Sequence, residues 1–273
     1  KELYDSSDRS LTSTVTMAGG NQRNGILFVG NHREGQALAN QGEVGGTGAA
    51  RTRPDPRSYG ADSFLGKYVH TADSGRADRI SLDGAQTRTR TDSLSNITPS
   101  VGYYRSQDEN VRVRATAGQW FPQLGGVLAD TLDWNVYWQK SRTRTNTQTE
   151  TATVARYFQS LPLQERVFGG KLVAVKQVGE GSAVTQTVSY GVELSRTDAQ
   201  SYAGGYGVNK RTGASGSGKA FMPGNYPLHL IPDSETDRYA AFVQDELGLF
   251  GGRLEITPAV RVDRYAYKPQ DDA

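Results

Sequence analysis

The stretch that decides the fold is Leu132-Asp133-Trp134-Asn135-Val136-Tyr137-Trp138-Gln139. Its residues alternate between apolar and polar, which is typical of a β-strand, because successive side chains of a strand point to opposite faces. One face carries Leu132, Trp134, Val136 and Trp138, and the other carries Asp133, Asn135, Tyr137 and Gln139. The stretch therefore predicts a strand with one apolar and one polar face.

The same alternation recurs in segments 184–194 and 254–263, where Gln186 is the one polar residue on the first apolar face and the second polar face is charged. Weaker alternation marks the segments 11–19, 25–35, 60–72, 78–93, 101–119, 164–178 and 236–249. Together these segments predict about ten strands.

The predicted connections alternate in length along the chain. Short ones at 19–25 and 250–252 alternate with long polar ones near 36–59 and 200–235. Short turns at one end, long loops at the other, an apolar lipid face and a polar lumen are typical of outer-membrane barrels. We therefore predict an all-β fold, an antiparallel transmembrane β-barrel wall. The alternative is a soluble β-sandwich, which also alternates but usually has shorter strands.

The energetics of membrane insertion predict which face points outward. A shift of one residue would aim Asp133 at hydrocarbon, where basic residues cost about 2–4 kcal/mol and acidic residues somewhat less. The apolar face is therefore expected to contact lipid. Trp134 and Trp138 fit an interfacial girdle, but buried aromatic residues of a sandwich would give the same pattern.

Composition excludes several classes of protein. The 273 residues carry a net charge of +2 with arginines spread along the chain, so no basic block marks a nucleic-acid site and no nucleic-acid partner is expected. No stretch approaches the roughly 20 apolar residues of a membrane-spanning helix. The chain has no cysteine, which excludes disulfides and thiolate metal sites.

Several segments, in their order along the chain, carry a family resemblance. One is Thr236-Asp237-Arg238-Tyr239-Ala240-Ala241-Phe242-Val243-Gln244-Asp245-Glu246 within 232–246, which is followed by 252–265. Others are Tyr4-Asp5-Ser6-Ser7-Asp8-Arg9-Ser10, His32-Arg33-Glu34-Gly35, Asn40-Gln41-Gly42-Glu43 and Arg51-Thr52-Arg53-Pro54-Asp55-Pro56. They resemble TonB-dependent outer-membrane receptors, in particular the haem and haemoglobin uptake group. Segments 143–163 and 200–230, interpreted as loops, resemble nothing in that group.

The resemblance implies a bacterial outer-membrane receptor with a barrel of about 22 strands and an N-terminal plug. It implies that residues 1–273 form about ten strands of the barrel, with the plug absent and the chain ending before the FRAP and NPNL segments of haem receptors. The implied partners are outer-membrane lipid, haem or a haem-carrying protein, and the inner-membrane TonB complex, which acts through the missing plug. Haem is implied as the transported ligand, with no intrinsic cofactor.

Haem iron is held by histidine or tyrosine side chains in many proteins. We therefore expect ligand-binding candidates in the long connection 200–235, namely Tyr206, Tyr226 and His229, with Tyr202 beside them. A loop histidine is also often merely solvated. The other two histidines, His32 and His70, are expected to lie in the lumen or at its rim.

Two further patterns carry less weight. Segment 213–220 nearly spells a phosphate-binding loop, but Ala220 replaces the magnesium-binding Ser or Thr and Pro223 follows at once, so we predict a flexible loop. The polar-face carboxylates are expected to line the lumen, since no Ser or Cys nucleophile has an adjacent His base. These carboxylates are Asp133, Glu193, Glu255 and Asp263.

The sequence therefore predicts a transporter and not an enzyme. Three alternatives stay open within the outer membrane: a ferric-siderophore receptor, a passive porin and an outer-membrane hydrolase.

Overall fold

We describe the chain from a computed structural model, which covers residues 2–5, 9–37, 42–151, 155–179, 184–222, 226–229 and 231–270. The strands are β1 (Glu2–Asp5), β2 (Ser10–Gly20), β3 (Asn24–Gln36), β4 (Arg57–Thr71), β5 (Ala77–Asp92), β6 (Val101–Phe121), β7 (Thr131–Thr151), β8 (Ala155–Val178), β9 (Thr185–Ser201), β10 (Gly204–Asn209), β11 (Ser215–Gly216), β12 (Ser234–Leu249), β13 (Leu254–Ile256) and β14 (Ala259–Pro269). One short 3-10 helix spans Leu94–Asn96, and no helix among the described residues is long and apolar enough to cross a membrane.

The strands form one antiparallel sheet. β1 to β9 pair in chain order, β9 pairs with β12, and β12 pairs with both β13 and β14. The break between β13 and β14 falls at Pro258, which has no backbone N–H to donate to a ladder. All ten predicted strands are confirmed as β2 to β9, β12 and the pair β13–β14. Among the described residues, no pairing joins β1 to β14, so the sheet is open.

The expectation that 143–163 is a loop was wrong. Residues up to Thr151 continue β7 and residues from Ala155 begin β8, so these two strands form a long hairpin. The reason is chemical, since threonines at 143, 145, 147 and 149 favour a strand while both of its faces stay polar. Such a strand lacks the apolar alternation on which the sequence prediction depends. The two long connections are confined to 37–56 and 202–233.

The registers align most of the exposed apolar residues of the strands on one face. Trp138, for example, lies opposite Ala115 of β6 and Phe168 of β8. We call this the apolar face, and its exposed members include Val15, Met17, Ile26, Phe28, Ile80, Leu82, Val136, Trp138, Phe168, Leu172, Val192, Leu194, Val260 and Val262. Their exposure reaches 64% at Val260 and Val262.

Burial distinguishes a membrane barrel from a soluble sandwich. The buried hydrophobic residues in the described part of the chain are only Ala174, Ala203, Met222 and Ala240. None of the described side chains that are large is fully buried. A sandwich would pack its apolar residues against a second sheet, so this sheet needs lipid to cover its apolar face.

The strands are longer than a membrane crossing requires. A tilted transmembrane strand needs about 9–11 residues, whereas β7 has 21 and β8 has 24. In β7 the apolar face runs from Leu132 to Trp138, and both faces are polar from Lys140 onward. The distal halves of β7 and β8 therefore project beyond the apolar band at the end that carries the long connections.

Replacing Val192 by Arg tests the orientation of the sheet. Val192 lies on the apolar face between Leu172 and Ala241, so the new charge would enter hydrocarbon and lower the free energy of unfolding by about 2–4 kcal/mol. Urea unfolding in phospholipid vesicles measures this loss. The control Ser189→Arg, on the polar face of the same strand, should change it by less than about 1 kcal/mol. Equal losses in both variants would contradict the orientation.

Candidate functional site

A positively charged recess lies on the polar face of β4 to β8. Its volume is about 470 Å³, and it is lined by Lys67, Arg79, Arg114 and Lys171 together with Asp133. Arg79 Nη2 donates a hydrogen bond of 2.5 Å to Asp133 Oδ1. The guanidinium carbon of Arg114 lies 4.2 Å from the ring centroid of Tyr137. One carboxylate therefore faces four cations, and the recess favours anionic groups.

A second group of charged residues on the polar face has no net charge. Arg238 Nη2 donates to Asp263 Oδ1 at 3.1 Å, and its Nη1 lies 3.6 Å from Glu193 Oε1. Arg261 binds the same two carboxylates, with distances of 3.1 Å to Glu193 Oε2 and 2.8 Å to Asp263 Oδ2. These carboxylates are therefore held by arginines, and Asp133 is held in the same way by Arg79.

The long connection 202–233 is partly built into the sheet. β10 pairs with residues 155–160 of β8, and β9 pairs with residues 163–178, so β8 has two successive partners on one edge. An isolated bridge joins Ala203 to Leu228. This bridge brings the flanking residues Tyr202 and His229 together, with ring centroids 5.1 Å apart and planes at 80°.

The structure places the other two predicted ligand candidates apart. Tyr206 stacks on Phe158 with ring centroids 4.8 Å apart, whereas the Tyr226 hydroxyl accepts a hydrogen bond of 2.6 Å from Gln159 Nε2. Phe158 and Gln159 are consecutive in β8, and consecutive side chains of a strand point to opposite faces. Tyr206 and Tyr226 therefore lie on opposite faces of the sheet. A Cβ at Gly205 would lie 3.3 Å from the Tyr226 ring, which shows how closely that ring covers the strand.

Phe158 and Gln159 were not predicted from the sequence, because both fall in the segment interpreted as a loop.

The other two histidines lie away from the aromatic pairs. His32 Nδ1 lies 2.6 Å from Asp62 Oδ1 at the edge of the apolar face, and His70 contacts Asn24 at the end with the short turns. In segment 213–220, Ser215 and Gly216 form β11, paired with β10.

A charged cluster fastens the connection to the tip of the β7–β8 hairpin. Arg156 Nε donates a hydrogen bond of 2.5 Å to Glu150 Oε1, and Lys210 Nζ lies 3.5 Å from Glu150 Oε2. Burial raises the pKa of the Glu150 carboxyl, but the hydrogen bonds from Arg156 and Lys210 outweigh it. The pKa of Glu150 therefore lies below its ordinary value. The carboxylate is thus charged at neutral pH and links three segments.

Comparison with known families agrees with this architecture. Residues 4–273 match the family described as TonB dependent receptor-like, beta-barrel. The chain belongs to this family. No curated protein matches it. Proteins of this family reside in the bacterial outer membrane and are transporters, so the match gives no support to the hydrolase alternative.

Membership assigns the two faces and the two ends of this TonB-dependent receptor barrel. The apolar face contacts lipid and the polar face lines the lumen. The short turns lie on the periplasmic side, so the connections 37–56 and 202–233 are extracellular. The aromatic pairs and the Glu150 cluster therefore stand outside the cell, beyond the membrane.

Replacing Glu150 by Gln should loosen β10. Losing charged hydrogen bonds to Arg156 and Lys210 is expected to speed amide exchange of β10 about fivefold at pH 7. Because the pKa of Glu150 is lower in the folded protein, its stabilising effect is complete above the ordinary value of 4.5 and is lost as the pH falls through the lower folded value.

A nitroxide label at Thr212 reports this loss by electron paramagnetic resonance. The label should gain mobility as the pH falls from 7 to 3 in the natural chain, and should already be mobile at pH 7 in the Glu150→Gln variant. Identical pH profiles for the two proteins would refute the role of Glu150.

Proposed function

We propose that this receptor imports haem, either free or taken from a haem-carrying protein, by TonB-dependent active transport. The observation that supports this ligand best is the contact of Tyr202 with His229 in an extracellular connection, with ring centroids 5.1 Å apart. Tyrosine and histidine are the two side-chain types among the candidates that ligate haem iron. The family resemblance of segments such as His32-Arg33-Glu34-Gly35 supports the same ligand.

A planar ligand also needs an apolar surface to lie on. Tyr206 is 48% exposed and is already stacked on Phe158, so one face of the pair is available to a macrocycle. A cavity of about 380 Å³ adjoins this pair. In this proposal Tyr206 contacts the ring, His229 or Tyr202 contacts the iron, and Tyr226 supports the connection from the opposite face.

Transport then proceeds through the lumen. We propose that the inner-membrane TonB complex supplies the energy through a plug domain, and that haem is cargo, with no resident cofactor. The cationic recess of Lys67, Arg79, Arg114 and Lys171 would attract the propionates of haem as they pass. The same recess favours the second candidate, a ferric siderophore, because many such complexes are anionic.

A haem titration of the full-length receptor tests the proposal. The Soret band is followed as haem is added to the natural protein and to the variants Tyr202→Ala, Tyr206→Ala, His229→Ala and Tyr226→Phe. We expect the first three to weaken binding at least tenfold. Tyr226→Phe should change it little, because Tyr226 lies on the lumen side of the sheet, opposite the face that carries Tyr206. His70→Ala is the matched control, since it removes a histidine at the periplasmic end.

Two results would overturn parts of the proposal. A receptor that gives no saturable Soret band is not a haem receptor, and a titration with ferric siderophores would follow. A band that persists unchanged in every variant would place the haem site outside the connection 202–233.

A further inference from the structure

The lipid-contacting face carries a patch of cations just beyond the apolar band. The patch consists of Lys140, Arg142 and Arg144 on β7 and Arg166 on β8, at successive outward positions of each strand. Lys140 and Arg166 lie directly opposite each other in the register, one step beyond the pair Trp138 and Phe168. The patch therefore borders the hydrocarbon on the extracellular side.

The two opposed cations form no ion pair in the described part of the chain. Like charges directly opposite in a sheet destabilise it, yet neither Lys140 nor Arg166 forms an ion pair with a described residue. Asp198 lies opposite Arg166 in the next strand, but no ion pair joins the two. Both cations are exposed, so an anion from outside the chain can reach them.

The remaining two arginines are also incompletely satisfied. The Nε atoms of Arg142 and Arg144 are buried without a hydrogen-bond partner among the described residues. Glu109 lies opposite Arg144, but it accepts hydrogen bonds from Gln86 at 2.7 Å and from Arg88 at 3.4 Å. The nearest carboxylate on β6 is therefore already committed to other donors.

On the neighbouring strands, two cations of the same face do form ion pairs with carboxylates. Arg196 Nε donates to Asp237 Oδ1 at 2.7 Å, and Lys268 Nζ donates to Glu235 Oε1 at 2.9 Å and to Asp237 Oδ2 at 3.0 Å. At a similar level, Arg196 of β9 and Lys268 of β14 are thus paired with carboxylates of β12. The cations of the patch on β7 and β8 lack such ion pairs, and they are therefore able to bind an anion from outside the chain.

We propose that this patch binds the phosphorylated headgroup of an outer-leaflet glycolipid. Arginine guanidinium groups bind phosphate through two parallel hydrogen bonds, and lysine adds a compact positive charge. Trp138 and Phe168 would contact the acyl chains directly below the headgroup. The site faces away from the lumen, so it does not depend on which ligand the receptor imports.

Native mass spectrometry of the full-length receptor in non-ionic detergent tests the proposal. The probes are bisphosphorylated lipid A and lipid A from which both phosphates have been removed. The natural protein should retain the phosphorylated form, and the variant Lys140→Gln/Arg166→Gln should bind it at least tenfold more weakly. The charge-conserving variant Lys140→Arg/Arg166→Lys should retain it, which guards against a general loss of the fold.

A matched control removes the same charge from the other face. Lys67 and Lys171 line the lumen, so Lys67→Gln/Lys171→Gln should bind lipid A as the natural protein does. Equal binding of the dephosphorylated lipid, or unchanged binding by Lys140→Gln/Arg166→Gln, would overturn the proposal. Displacement of the lipid by millimolar inorganic phosphate would also overturn it, because the site would then recognise a free anion.

Discussion

The constraint on which the structure depends is that hydrocarbon offers no hydrogen bonds to the backbone. Each strand that crosses the membrane must satisfy its N–H and C=O groups on a neighbouring strand. The ladders from β2 to β9 and on to β12 meet this requirement, with a register shift between Val101 and Tyr103 at the extracellular end of β6. Pro258, which cannot donate, marks the place where the last strand is interrupted. Because pairing fixes the register, it also fixes which side chains meet lipid and which meet water.

Charges are distributed according to the same constraint. On the lumen side, acids and arginines pair across strands, as in the group of Glu193, Arg238, Arg261 and Asp263. On the lipid side, the charges at the extracellular edge of the apolar band include Arg196 and Lys268, which are paired, and Lys140 and Arg166, which are not. The contrast between these two sets on one face indicates that their surroundings differ, although their strands are adjacent.

The sequence was sufficient to locate a strand wherever the two faces of that strand differ in polarity. Alternation in 132–139 and nine other segments located all ten long strands, because lipid on one side and water on the other impose it. It failed in 143–163, since both sides of a strand outside the membrane meet water and no alternation is required. The candidate site depends on that missed part: Phe158 and Gln159 determine where Tyr206 and Tyr226 point. Sequence alone also gave no register, so the contact of Tyr202 with His229 was beyond it.

The double pairing of β8 has a consequence for how a partner is captured. β7 continues as a paired strand for eleven residues from Ser141 to Thr151, roughly 35 Å at the usual rise per residue. The hairpin thus forms a rigid projection, and the pairing of β10 with β8 holds the aromatic residues against its side. These residues already lose their conformational freedom when the protein folds. Binding of a partner there therefore causes a smaller further loss of conformational entropy. The length of this projection also determines how far above the membrane a bulky carrier protein can make contact with the receptor.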